Sequence, residues 1–154
     1  MLFRSKENLP KWLHLTSGQK LEFDKLPNLR VVVGGDPHDL IAAASVVSGF
    51  ISTALLECLA AGKHVVVPRF GETRDPRIQT YLLDLGSAVQ YVGSTDELYN
   101  ALRSGAGRDP KPAADLTAEA IHQLDHWGGN ADGRSGARVA EAVQREIATV
   151  ARAA

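Results

Sequence analysis

The sequence predicts an α/β fold, a parallel sheet with helices on both faces. Three observations carry that expectation. Short β-branched runs alternate with longer stretches of helical character. The runs are continuously apolar instead of alternating, as strands buried on both faces are. The chain has 154 residues, 44% hydrophobic and 23% charged, the proportions of one ordinary domain that buries a core without disulfide or metal staples.

Taken in order, residues 1–5 (MLFRS) read as a strand, and residues 6–27 show no clean period. Residues 29–33 (LRVVV) are a buried strand closed by Gly34-Gly35. Asp36-Pro37 offers an N-cap and a first-turn proline for a short helix over 39–44. Residues 45–49 (SVVSG) form the next strand, 52–61 (STALLECLAA) a helix with Gly62 at its C-cap, and 64–67 (HVVV) a strand ended by Pro68. A helix over 76–85 stopped by Gly86, a strand over 88–92 and a helix over 94–104 capped by Ser94 or Thr95 follow. Residues 105–112 (GAGRDPKP) are turn chemistry. Two amphipathic helices, 115–126 and 135–152, complete the chain, and the apolar stripe of the last predicts that it lies back across the sheet. The expected organisation is 1–27, a partial strand and irregular segment; 28–104, the core; 105–113, a linker; and 114–154, helices packed on that core.

Composition removes several function classes. Lys plus Arg number 17 against 18 Asp plus Glu, a net charge of −1, without the basic footprint of a dedicated nucleic-acid binder. The single cysteine, Cys58, excludes an intramolecular disulfide framework and a Cys-rich zinc site, and its place in an apolar helix points to packing. His122 and His126 stand at i, i+4 around Asp125, without the HExxH pattern or a third ligand, so no metal site is expected. Trp12 and Trp127 form no stacking platform. No apolar run approaches ~18 residues and no secretory signal is visible, so the expectation is a cytoplasmic chain without a membrane span.

The informative block is residues 46–72, VVSGFISTALLECLAAGKHVVVPRFGE. In a parallel sheet the C-terminal strand ends gather on one edge with the following helix N-termini, and ligands bind there. Free N–H groups and the helix dipole at such a terminus suit phosphate. Ser52 and Thr53 add hydroxyls, Gly49 permits close backbone approach, and Glu57 lies one turn further along, able to accept from a ribose. Ser52 as a plain N-cap and Glu57 as a solvated charge are the simpler readings of the same residues.

The string SGFISTALLECLAAGKHVVVPRFGE resembles the donor-binding stretch of GT-B fold glycosyltransferases, in particular bacterial transferases that build surface polysaccharides and teichoic-acid-like polymers. It is also similar to sugar-nucleotide 2-epimerases. DPRIQTYLLDLGSAVQYV and WGGNADGRSGARVAEAV extend the resemblance over roughly residues 28–150. It implies a Rossmann-like domain that binds a nucleotide-sugar donor, UDP-, GDP- or CDP-linked, with no further cofactor. It implies that Gly49, Ser52, Thr53 and Arg69 hold the donor phosphates, and that Glu57, Glu72, Gln79 and His38 face ribose or sugar. Arg69 and Glu72 read alternatively as an ion pair within one loop, Gln79 as a helix cap, and His38 as a solvated first-turn residue.

Such enzymes have two Rossmann-like domains, and the acceptor and catalytic base come from the one this chain does not match. The resemblance therefore implies a sheet incomplete at its N-terminal side, with residues 1–5 as the second strand and the central first strand lacking. A fragment-like chain, partnered by a missing N-terminal domain or by a second copy, is the expectation. No catalytic residue is assigned. The alternatives are a non-catalytic nucleotide-binding or assembly module and an epimerase-like remnant.

Overall fold

The computed structural model describes residues 2–5, 27–33, 36–109, 115–129 and 132–153. Residues 6–26 of the irregular stretch expected over 6–27, the Gly34-Gly35 turn and residues 110–113 of the expected linker lie outside them. The fold is α/β with parallel sheets and comprises two compact units, Met1–Ala43 and Ala44–Ala154.

In the first unit, strand β1 (Leu2–Ser5) pairs in parallel with β2 (Arg30–Val33), in the register Leu2↔Arg30 to Ser5↔Val33. Helix α1 (Pro37–Ala43) follows. It opens as the Asp-Pro pair predicts: Asp36 Oδ1 accepts the His38 backbone N–H at 2.9 Å, and proline fills the first helical position.

The second unit contains β3 (Val46–Ser48), α2 (Ala54–Ala60), β4 (His64–Pro68), α3 (Pro76–Gln79), β5 (Gln90–Val92), α4 (Thr95–Gly105), α5 (Ala118–Gly128) and α6 (Ser135–Ala153). Its sheet has the order β3-β4-β5, all parallel, with Val46↔His64 and Val66↔Gln90 in register.

The centre of the sheet is β4. Val65, Val66 and Val67 are all buried, and successive strand residues face opposite sides, so both faces of β4 are covered. On one face Val66 packs with Val92 and with Ala101 of α4, flanked by Val46, Phe70 and Leu98. Helix α2 buries Leu55, Cys58 and Leu59 and contacts β3, β4 and α5. It ends in a left-handed glycine cap: Gly62 has φ +67°, its N–H donates to Leu59 O at 3.0 Å, and Lys63 N–H donates to Cys58 O at 2.9 Å. Ser94 caps α4, accepting from Glu97 N–H at 3.2 Å, which decides between the two capping candidates.

Boundaries differ most from the sequence expectation over residues 76–105. The helix expected over 76–85 stops at Gln79. Thr80 Oγ1 turns back to Arg77 O at 3.1 Å, while the N–H groups of Leu85 and Gly86 go to Tyr91 OH at 2.8 Å and Asp84 Oδ1 at 3.3 Å. With those donors committed elsewhere, the segment enters a 3-10 turn (Gly86–Ala88) and β5 starts late, at Gln90. Gly105, expected in the linker, is the buried last residue of α4. At the C-terminus, α5 packs on α2 and on the Gly86–Ala88 turn, and Ala120 and Gln123 are buried there. Helix α6 does not follow it: Val139, Val143, Ile147 and Val150 stay exposed, at 51–67%. Its expected return across the sheet is therefore corrected for the described residues. Valine and alanine cover little area, and the place against α2 is taken by α5.

At the N-terminal end of the sheet, half-buried His64 lies with Nε2 3.1 Å from Gln90 Oε1. Burial lowers its pKa below the usual 6.5, the Arg108 charge lowers it further, and the bond to Gln90 opposes both. The unfolded chain thus binds this proton more readily than the folded one. Stability from this group is full above pH ~6.5 and falls as pH drops through that value, levelling off below the folded-state pKa. Urea unfolding at pH 8 and pH 5 is expected to show this loss, and His64→Gln to shrink the difference. An equal difference in the variant assigns the pH dependence to other groups.

Candidate functional site

Three loops leave the C-terminal edge of the β3-β4-β5 sheet. Parallel pairing sets them side by side: Gly49 N–H donates to Val66 O at 3.4 Å, and Arg69 N–H to Val92 O at 2.7 Å. Residues 49–53 leave β3, residues 69–75 leave β4, and residues 93–94 leave β5. Ser52, Thr53, Arg69 and Glu72 are therefore carried by neighbouring strands on one edge, as expected of a ligand edge in an α/β sheet.

The residues behave individually as follows. Helix α2 starts at Ala54, two residues later than the sequence suggests. Ser52 Oγ accepts the Ala54 N–H at 3.2 Å, a local turn bond one residue ahead of the N-cap, which is Thr53. Thr53 already has helical backbone angles (φ −63°, ψ −19°) and makes no capping bond, and its side chain is exposed. The space at Gly49 serves packing: a Cβ there would stand 3.3 Å from Leu55 Cδ2, so the missing side chain seats α2 on the strand end. Glu57 is exposed on the first turn of α2. Cys58, its neighbour, is 1% exposed, and burial, with the adjacent Glu57 charge, pushes its thiol up to about 11. A thiol held protonated in the core is packing and not a nucleophile.

Arg69 is the most constrained member. Its guanidinium carbon stands 4.0 Å from the centroid of the Tyr91 ring, and Nη2 lies 3.4 Å from Asp84 Oδ1. The ion pair within the loop, Arg69 with Glu72, does not form: the partner is Asp84, fifteen residues on. Arg69 is 45% exposed and Asp84 82%, so this single long contact contributes only ~0–1 kcal/mol. Tyr91 OH donates to Asp84 Oδ1 at 3.2 Å, and Trp127 Nε1 donates to Asp84 O at 3.2 Å. Asp84, Tyr91 and Trp127 were not legible as site residues, because only the β4-β5 register sets Val67 opposite Tyr91 and brings that ring beside the next residue but one, Arg69.

Glu72 is exposed on the 3-10 turn Gly71–Arg74. Gln79 is the exposed last residue of α3, where Asp75 provides the cap by accepting Arg77 N–H at 2.9 Å; Gln79 itself is not the capping side chain. His38 belongs to the first unit, with its ring Nδ1 2.6 Å from Asp36 Oδ1. It is thus engaged within its own turn.

Among the described residues no group of three or more His, Cys, Asp or Glu is placed to hold a metal ion. The His122 and His126 rings stack at 6.4 Å, and His126 meets Trp127 edge-on at 5.0 Å. Among the described residues no helix is long and apolar enough to cross a membrane. Comparison with protein-family models, curated proteins and solved structures finds no match for this chain.

Proposed function

We propose that the Ala44–Ala154 unit binds the diphosphate of a nucleotide-sugar at the C-terminal edge of its sheet, as the donor-binding part of a glycosyltransferase-like protein of envelope polysaccharide synthesis. One observation supports this most: the Ser52-Thr53 loop and the Arg69-Glu72 loop leave adjacent parallel strands at the same end. That pairs hydroxyls on one loop with a guanidinium on the next, and a diphosphate offers acceptors to both. Glu57, one turn into α2, supplies an exposed carboxylate suited to ribose hydroxyls. No residue is assigned to catalysis, and the acceptor and general base are proposed to come from a partner domain outside this unit.

Calorimetric titration with UDP, GDP, CDP and their sugar conjugates tests the reading. One nucleoside diphosphate is expected to bind, and Glu57→Ala is expected to weaken it about tenfold, near the 1.4 kcal/mol of one hydrogen bond to a charged group. A folded sample that binds none of them defeats the proposal. An unchanged affinity in Glu57→Ala removes that residue from the site.

A further inference from the structure

We propose that Tyr91 is a positioning residue for Arg69, holding its guanidinium as a phosphate receptor, and that Asp84 is a weakly held counter-charge displaced from it when the anion arrives. This rests on the diphosphate-binding reading of the same sheet edge.

The holding is built from both sides. Arg69 is anchored at its backbone, where its N–H donates to Val92 O at 2.7 Å. Its side chain then lies across the ring of Tyr91, 4.0 Å from the centroid. A guanidinium carbon seated over a ring face is attracted by the ring's negative face without spending an N–H donor on it. Among the described residues, the side-chain hydrogen bonding of Arg69 consists of the single contact from Nη2 to Asp84 Oδ1 at 3.4 Å. Most of its five donors are therefore uncommitted.

Tyr91 is itself held at its far end. Its hydroxyl accepts the Leu85 N–H at 2.8 Å, and Leu85 is fully buried, so the ring is tied to the core. Asp84 is fixed independently of Arg69: Oδ1 also accepts from Tyr91 OH at 3.2 Å and Gly86 N–H at 3.3 Å, and its carbonyl accepts from Trp127 at 3.2 Å. The carboxylate keeps its place without the arginine, so releasing Arg69 leaves Asp84 hydrogen-bonded. A phosphate can offer two oxygens in the guanidinium plane, at shorter range than the 3.4 Å contact it replaces. The arrangement is a cation held still by stacking and balanced by a carboxylate it touches weakly.

The test is calorimetry at constant ionic strength with inorganic pyrophosphate and with UDP, each variant checked for folding by circular dichroism and thermal melting. Arg69→Ala is expected to weaken pyrophosphate binding tenfold or more. Tyr91→Leu, which removes the ring, is expected to weaken it several-fold, and Tyr91→Phe, which keeps the ring face but not the Leu85 anchor, to weaken it less. Asp84→Asn keeps the hydrogen-bond acceptor and removes the competing charge, so it is expected to tighten pyrophosphate binding several-fold. A purely structural role for Asp84 predicts weaker or unchanged binding instead, and either result overturns the proposal. So does a wild-type chain that binds no pyrophosphate, or one whose affinity survives Arg69→Ala or Tyr91→Leu. Pyrophosphate binding that follows this pattern while UDP binds no better supports the receptor and defeats the nucleotide reading, so the two failures are separable.

Discussion

Leu85→Ala is expected to destabilise the fold by about 2–5 kcal/mol, the range for truncating a fully buried leucine when the surroundings relax only in part. Leu85 is 0% exposed and, among the described residues, is the largest of the fully buried side chains. It is held by more than apolar contact, since its N–H donates to Tyr91 OH at 2.8 Å. That bond keeps the backbone in place when the side chain is cut back, so a cavity is expected to remain. Urea unfolding should show a lower midpoint with an unchanged slope, and thermal unfolding a fall of roughly 2–4 °C per kcal/mol. A loss below about 1 kcal/mol would mean that the site collapses around alanine, against the anchoring described.

Gly105→Ala is the second large effect, and its sign is opposite to what helix propensity suggests. In an open helical position the exchange stabilises by about 0.5–1 kcal/mol. At Gly105 a Cβ would stand 2.9 Å from His64 Cδ2 and 3.0 Å from both Cβ and Cγ2 of Val46. The imidazole can swing away, but Val46 Cβ is fixed to the β3 backbone and can move only with the strand. Overpacking of this kind costs about 1–3 kcal/mol. Gly128 is the control: it is the last residue of α5, and a Cβ there meets nothing within 4 Å. Gly128→Ala should be neutral or stabilising by up to about 1 kcal/mol in the same urea assay. Equal effects at the two glycines would reject the packing argument.

The contrast between those glycines shows how far a linear reading reaches. Gly62 was legible as a C-cap because it ends an apolar helical run and precedes a strand, and its φ of +67° bears that out. Gly105 read as part of a linker, because GAGRDPKP is locally indistinguishable from a turn. What makes it a packing glycine is the approach of α4 to β3 and β4, which no local pattern encodes. The third expected helix failed for a similar reason. Its start is local, with Pro76 in the first turn and Asp75 accepting the Arg77 N–H. Beyond its end at Gln79, the Leu85 N–H that a longer helix would use is taken by Tyr91, a distant side chain.

The candidate site divides along the same line. That Ser52, Thr53, Arg69 and Glu72 share an edge follows from strand and helix order, because parallel strands must all end on the same side. The partner of Arg69 does not follow. Sequence proximity favours Glu72, whereas the register of β4 against β5 brings up Tyr91, and the irregular 80–85 segment brings up Asp84.

By itself, then, the sequence determined the α/β class, the order of the main elements, the Asp36 and Gly62 caps and the absence of a basic nucleic-acid footprint. All of these depend on composition or on neighbours within about one helical turn. Only the tertiary structure decided that Arg69 lies on Tyr91, that Gly105 must have no side chain, and that α5 packs against α2 while α6 stays exposed. The physical reason is common to all three: side-chain contacts between elements depend on register and on the few ångströms between packed backbones, and a one-residue shift turns a strand's side chains to the other face.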